Sequence, residues 1–192
     1  MPRNELIRIT NELSTTGYVL TTYEDLGLEF NRGFATQLAD IVETGTFSTA
    51  AAELTKHIEK QKMMMVQDEK ALALGRLMVR PVVEALFENS PRALSRWELY
   101  AMNRYEVGGS LGGHQDSVGS TVLVATMSGK RLFNIYETPE QNHEAAKIID
   151  SYILSPGSVM ILDGRADPCH AVSCIDGPSV SAVFDVPDLL RS

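Results

Sequence analysis

The sequence predicts one α+β domain over residues 1–192: a helical part over about 1–90, then a β-rich core over about 96–187 of the sandwich or jelly-roll kind, with the helices packed on one face. Three observations carry this. Apolar residues recur at three- and four-residue spacing through the first half, and they alternate or cluster in short β-rich runs through the second. Glycine and proline punctuate that second half, spacing the runs by roughly ten residues. No repeat, linker or low-complexity tract divides the chain, whose 192 residues suit a single core.

Leu6, Ile9 and Leu13 mark an amphipathic helix over 5–13 that ends before Gly17, and residues 18–22 read as a strand. From 49 to 66, Ala51, Leu54, Ile58 and Met65 fall on one helical stripe, with Glu53, Lys56, Glu59 and Lys60 outside it. A further helical stretch covers about 68–88, with Leu74, Met78, Val82 and Leu86 four residues apart; Pro81 should kink or divide it. After Ser90-Pro91 the texture changes. Residues 97–107 alternate, and 121–126 and 132–136 are β-rich.

Composition narrows the function classes. Hydrophobic residues make up 44% and charged residues 22%, as in ordinary globular chains. The longest apolar runs, near 118–127 and 157–162, stop well short of the eighteen or so residues that cross a bilayer, and Met1-Pro2-Arg3-Asn4-Glu5 has no apolar signal region. A cytoplasmic location with no membrane partner is expected, and Cys169 and Cys174 should be free thiols. The net charge of −8 and a pI near 5.0 would repel a phosphate backbone, so the expected partner is a small-molecule substrate and not a nucleic acid. Nothing in the sequence specifies an oligomeric state.

Chemistry concentrates in residues 103–116. Side chains two apart on a strand point the same way, so His114 and Asp116 can converge on one cation while Gln115 faces away. His170 follows the apolar run 158–162 and a turn-rich stretch from Asp163 to Pro168. Two imidazoles and one carboxylate form the facial triad of non-haem Fe(II) oxygenases, with coordination positions left open. Zinc on Cys169, His170 and Cys174 is disfavoured, since structural zinc takes four ligands. His57 and His143 read as solvated, and Met63-Met64-Met65 as core packing rather than pocket wall.

His-x-Asp is too short to carry weight alone. Its context says more: Asn103-Arg104-Tyr105, eight residues, then His114-Gln115-Asp116 resembles the AlkB-type 2-oxoglutarate and Fe(II)-dependent dioxygenases at matching spacing, over about residues 100–186 and not in the N-terminal half. The resemblance implies a double-stranded β-helix, O2 as oxidant, Fe(II) on His114, Asp116 and His170, and 2-oxoglutarate against Asn103 and Tyr105. It names no catalytic residue beyond the metal ligands.

One position departs from the family. Its strand after the distal histidine carries Arg-x-Ser or Arg-x-Asn, whose arginine grips the far carboxylate of the keto acid; here Ser179 stands in that place, Ser181 fits the second, and Asp185 replaces a further arginine. A dicarboxylate entering a pocket needs a cation. Lys130 and Arg131 are the candidates, in a Gly129-Lys130-Arg131 run similar to the Gly-x-Lys of the JmjC-like branch. Strand alternation lets one of them, not both, face inward, with Tyr105 and Ser181 bonding around the acid. Alternatively the two simply flank a hairpin turn. Arg165 is a third candidate, for co-substrate or substrate. The expected function is an oxygenase that hydroxylates or oxidises a small-molecule or amino-acid-like substrate; the alternative is a jelly-roll metal-binding protein, isomerase or lyase that does not use 2-oxoglutarate.

Overall fold

The computed structural model describes residues 1–45, 47–49, 63–88, 94–116, 119–137 and 147–186. Helix α1 (Arg3–Thr16) buries Ile9 and Leu13 and ends on the left-handed Gly17, whose N–H donates to Leu13 O. Strand β1 (Tyr18–Thr22) follows as expected. Helix α2 (Arg32–Thr44) is an element the sequence reading missed. Its signals were an Asn31 N-cap, whose side chain accepts from Phe34 N, and Ala35, Leu38 and Val42 at helical spacing.

The helix expected over 49–66 is corrected at both ends. Phe47–Thr49 and Met63–Val66 are antiparallel strands β2 and β3, and residues 50–62, with His57, lie outside the described residues. Pairing of Met65 with Asn103 across to the next strand overrides the local helical stripe. Helix α3 (Glu69–Leu86) is capped by Asp68, which accepts from Lys70 N and Ala71 N, and it runs undivided through Pro81. Pro81 sits on the exposed side, where solvent can serve the carbonyl it leaves unbonded.

The second half supplies β4 (Glu98–Tyr105), β5 (Ser110–His114), β6 (Thr121–Tyr136), β7 (Ile148–Leu154), β8 (Ser158–Asp163) and β9 (His170–Val186). The strands form a mostly antiparallel sheet in the order β1-β8-β6-β9-β4-β3-β2, with β5 added to β9 and β7 to β6. Strands β6 and β9 pair along their whole length. The first half of β6 lies between β8 and the end of β9; its second half lies between β7 and the start of β9.

The two β-rich runs at 121–126 and 132–136 are therefore one strand, and no hairpin turn separates Lys130 from Arg131. What lies between is a register irregularity centred on Gly129, at φ 65. A Cβ there would stand 2.7 to 2.8 Å from Asp176 O, Pro178 O and Ser179 Cα, so only glycine fits.

The irregularity changes the strand's phase. Before it, Leu123, Ala125 and Met127 pack with Ala182 and Phe184 of β9 into the apolar cluster that buries the three helices against the sheet. Val122 and Val124 face the opposite side. Beyond it, Phe133 and Ile135 join Val122 and Val124 in a second cluster with Tyr105, Leu111, Leu154 and Val172. The inward positions thus switch from even to odd numbers. Because the second cluster draws on both halves of β6 and β9, an interior lies between those halves.

Candidate metal centre and its cavity

His114, the last residue of β5, pairs directly with His170, the first of β9, and their ring centroids are 4.2 Å apart. Asp116 follows two residues later. One ligand atom from each of the three lies within 4.8 Å of the others. Asp116 Oδ1 is 3.8 Å from His114 Nε2, and Oδ2 is 3.9 Å from His170 Nε2.

The rings are oriented from behind. His114 Nδ1 is 2.9 Å from Gly112 O, and His170 Nδ1 is 2.9 Å from Pro168 O. Carbonyls only accept, so each ring carries a proton on Nδ1 and turns its Nε2 toward Asp116. Phe133 stacks on His170 at 4.9 Å with 9° between the planes. Burial, helped by His114, presses the His170 pKa down to about 3, which keeps the ring neutral. Burial pushes the Asp116 carboxyl up, opposed by His114 and reinforced by Asp167. The desolvated Asp116 carboxyl, beside the neutral His170 ring, has no lysine or arginine partner among the described residues. The donor set fits a divalent transition ion with open positions, and among the described residues it is the one such group.

The triad borders a cavity of about 140 Å³ that Asn103, Tyr105, Arg131 and Ser181 also line. Asn103 and Tyr105 reach it from alternate positions of β4. Arg131 is 1% exposed. Its Nη2 donates to Thr126 Oγ1 at 2.8 Å and its guanidinium lies over the Tyr105 ring, yet Nε has no partner and no salt bridge reaches the group among the described residues. Burial pulls its pKa down to about 10. Ser181 Oγ is also buried without a partner.

Other candidates fall elsewhere. Lys130 is half exposed, with Nζ 3.9 Å from Asp176 on the outer side of β6, and it does not line the cavity. Arg165 is 38% exposed, 3.4 Å from Asp163, and also outside the lining. The causes differ: the phase change at Gly129 turns Lys130 outward, and Asp163 holds Arg165. Ser179 is buried but spends its hydroxyl on Ser128 O at 2.8 Å. Cys169 and Cys174 are buried, form no disulfide and lie outside the triad, and His143 lies outside the described residues. Met65 does line the cavity, against the core reading, because β3 joins the sheet beside β4. The sequence reading also missed Phe133, whose ring stacks on His170, and Asp167, whose carboxylate accepts from Asp116 N; no local motif marks either.

No family profile matches the sequence, and no curated protein matches it. Solved structures do. The structural neighbours are 2-oxoglutarate and Fe(II)-dependent oxygenases. A prolyl hydroxylase from Trichoplax adhaerens, in complex with a hypoxia-inducible-factor degradation-domain peptide, has a TM-score of 0.64 at 13% identity, over 98% of this chain and 93% of that one. An oxidoreductase of the 2-oxoglutarate-Fe(II) oxygenase family from Burkholderia pseudomallei has 0.60 at 11%, over 97% and 94%. The α-ketoglutarate-dependent epimerase SnoN from nogalamycin biosynthesis has 0.60 at 12%, over 94% and 82%. At such identities the likeness is one of fold, and the site itself rests on the residues above. No helix among the described residues is long and apolar enough to cross a membrane.

Proposed function

We propose that this chain is a single-domain, non-haem Fe(II) and 2-oxoglutarate-dependent oxygenase that hydroxylates or oxidises a small-molecule or amino-acid-like substrate. One observation carries the reading: a His-Asp-His donor set and a buried arginine without a carboxylate partner line the same cavity. A ligand with metal-chelating oxygens at one end and a carboxylate at the other answers both needs. His170 and Arg131 lie four residues apart along the β6–β9 ladder, roughly 13 Å of strand, a span that a short keto diacid and the extended guanidinium can bridge together.

In this reading His114, Asp116 and His170 hold the iron, which supplies the electron transfer to O2 that no side chain here can perform. Arg131 grips the far carboxylate, and Ser181, Tyr105 and Asn103 bond around the acid. Phe133 shields His170 from water and keeps its ring neutral. Arg131 also answers the missing family arginine: the cation comes from β6 instead of β9. The rival reading, a metal protein, isomerase or lyase without 2-oxoglutarate, leaves a buried guanidinium unexplained. The double-stranded β-helix is supported by the way β6 and β9 each serve two strand groups around one interior.

For the substrate, a peptide-bound neighbour and a neighbour from nogalamycin biosynthesis both suit an amino-acid-like or small-molecule class. The charge of −8 argues against a nucleic acid, and two buried cysteines kept as thiols suit a cytoplasmic setting. The test is O2 consumption and succinate release by the Fe(II)-loaded protein with 2-oxoglutarate. Uncoupled turnover without added substrate supports the reading. No 2-oxoglutarate binding or turnover under any supplied substrate, with iron bound, would favour the rival.

A further inference from the structure

The β5–β9 ladder ends at the pair His114–His170, so no strand pairing holds Asp116 two residues beyond it. What meets Asp116 comes from the turn between β8 and β9. Its backbone N–H donates to Asp167 Oδ1 at 2.9 Å, and the neighbouring Gln115 Nε2 donates to Asp167 O at 2.6 Å. The next residue, Pro168, offers the carbonyl that orients His170. Two consecutive residues therefore hold the backbone at one metal ligand and the ring of another, more than fifty residues apart in the chain.

Asp167 is also the one non-glycine residue with positive φ among the described residues, at 44°. Such conformations are uncommon for residues with a Cβ and gather where the surroundings impose them, frequently at functional sites. The surroundings here are rigid. Asp167 N donates to Asp163 O at 2.8 Å, Asp163 N to Gly17 O at 2.8 Å, and Gly164 N to Ser120 O at 2.8 Å. A Cβ on Gly164 would stand 2.0 Å from that same Ser120 oxygen, so the turn is pressed onto the chain just before β6.

We infer that Asp167 is a positioning residue of the metal centre: from a fixed turn it clamps Gln115 and the Asp116 backbone, aiming the Asp116 carboxylate at the point where the two Nε2 atoms converge. The inference rests on the metal reading above. Asp167 is not among the residues that line the cavity and acts through Asp116 and Gln115. Outer partners of metal ligands typically change metal affinity by 10- to 100-fold when removed.

The experiment separates side chain from backbone. Asp167→Gly keeps the positive φ and removes the acceptor, whereas Asp167→Asn keeps an acceptor oxygen and tolerates the same φ. Mn(II) binding is followed by the EPR signal of the free ion and Co(II) coordination by its visible spectrum, with metal-free thermal unfolding measured in parallel. Expected are an Asp167→Gly protein that unfolds near the wild-type temperature but binds Mn(II) about 10- to 100-fold more weakly with an altered Co(II) spectrum, and an Asp167→Asn protein within about threefold of wild type. Wild-type affinity in Asp167→Gly, equal impairment in Asp167→Asn, or an Asp167→Gly protein that fails to fold would each overturn the clamp. Failure of the wild type itself to bind either ion would overturn the metal reading beneath it.

Discussion

Arg131 lies over the face of Tyr105, its guanidinium carbon 5.7 Å from the ring centroid, and no carboxylate among the described residues pairs with it. A buried charge held by a ring face and one hydroxyl is costly unless a ligand completes it. Arg131→Met should therefore raise the apparent KM for 2-oxoglutarate by about 100-fold, the loss of a charge-assisted bond of roughly 3 kcal/mol. Its metal-free unfolding temperature should match or exceed wild type. Lys130→Ala, which removes only an exposed ion pair, should change neither. Wild-type keto-acid dependence in Arg131→Met would remove the anchor.

Asp116 illustrates how a site can work against its own fold. Its carboxyl is pushed above the ordinary value by burial, so the stability this group contributes belongs to low pH and is lost as pH rises through the folded-state value. At neutral pH the charged group costs stability when no cation is bound. Asp116→Asn should unfold at a higher temperature than wild type in metal-free buffer at pH 7, and it should lose the upward shift that Mn(II) gives the wild type. A lower metal-free unfolding temperature would show that Asp116 serves the fold.

The sign reverses for His170, whose pKa falls from 6.5 to about 3. The unfolded chain takes up this proton first, so the neutral ring contributes its stability above about pH 6.5, and that contribution is lost progressively as pH falls toward 3. Metal-free wild type should lose unfolding temperature more steeply between pH 6.5 and 4 than His170→Gln does. Parallel curves would mean that the buried ring protonates without penalty.

Gly129→Ala tests the phase change of β6. Its Cβ would meet three backbone atoms at 2.7 to 2.8 Å in a left-handed conformation, and backbone cannot step aside as a flexible side chain can. Chemical denaturation should show a loss on the order of 2–4 kcal/mol, with a raised KM for 2-oxoglutarate in whatever remains folded, because Arg131 loses its seat. Unchanged stability would mean that the register irregularity tolerates a side chain and does not depend on glycine.

Much of this was legible in the chain. Leu6, Ile9 and Leu13 announce α1, Asp68 and the four-residue steps from Leu74 announce α3, and residues 18–22 are the strand they look like, because in each case local periodicity and burial agree. His114-Gln115-Asp116 places its two outer side chains on one side by strand geometry alone. Where pairing with a distant segment decides, the reading fails: β3 is a strand because β4 lies beside it, and its helical stripe is outvoted.

By itself the sequence determined the α+β class and the donor types at His114, Asp116 and His170, and, under the proposed function, it called for a cation where Ser179 stands in place of the family's arginine. Alternation could say that either Lys130 or Arg131 faces inward; it could not say which. That choice was made only in three dimensions, by the close approach of Gly129 to Asp176, Pro178 and Ser179 on a strand nearly fifty residues away. The approach inserts an irregularity that shifts β6 by one position, and a one-residue shift turns every side chain beyond it to the other face.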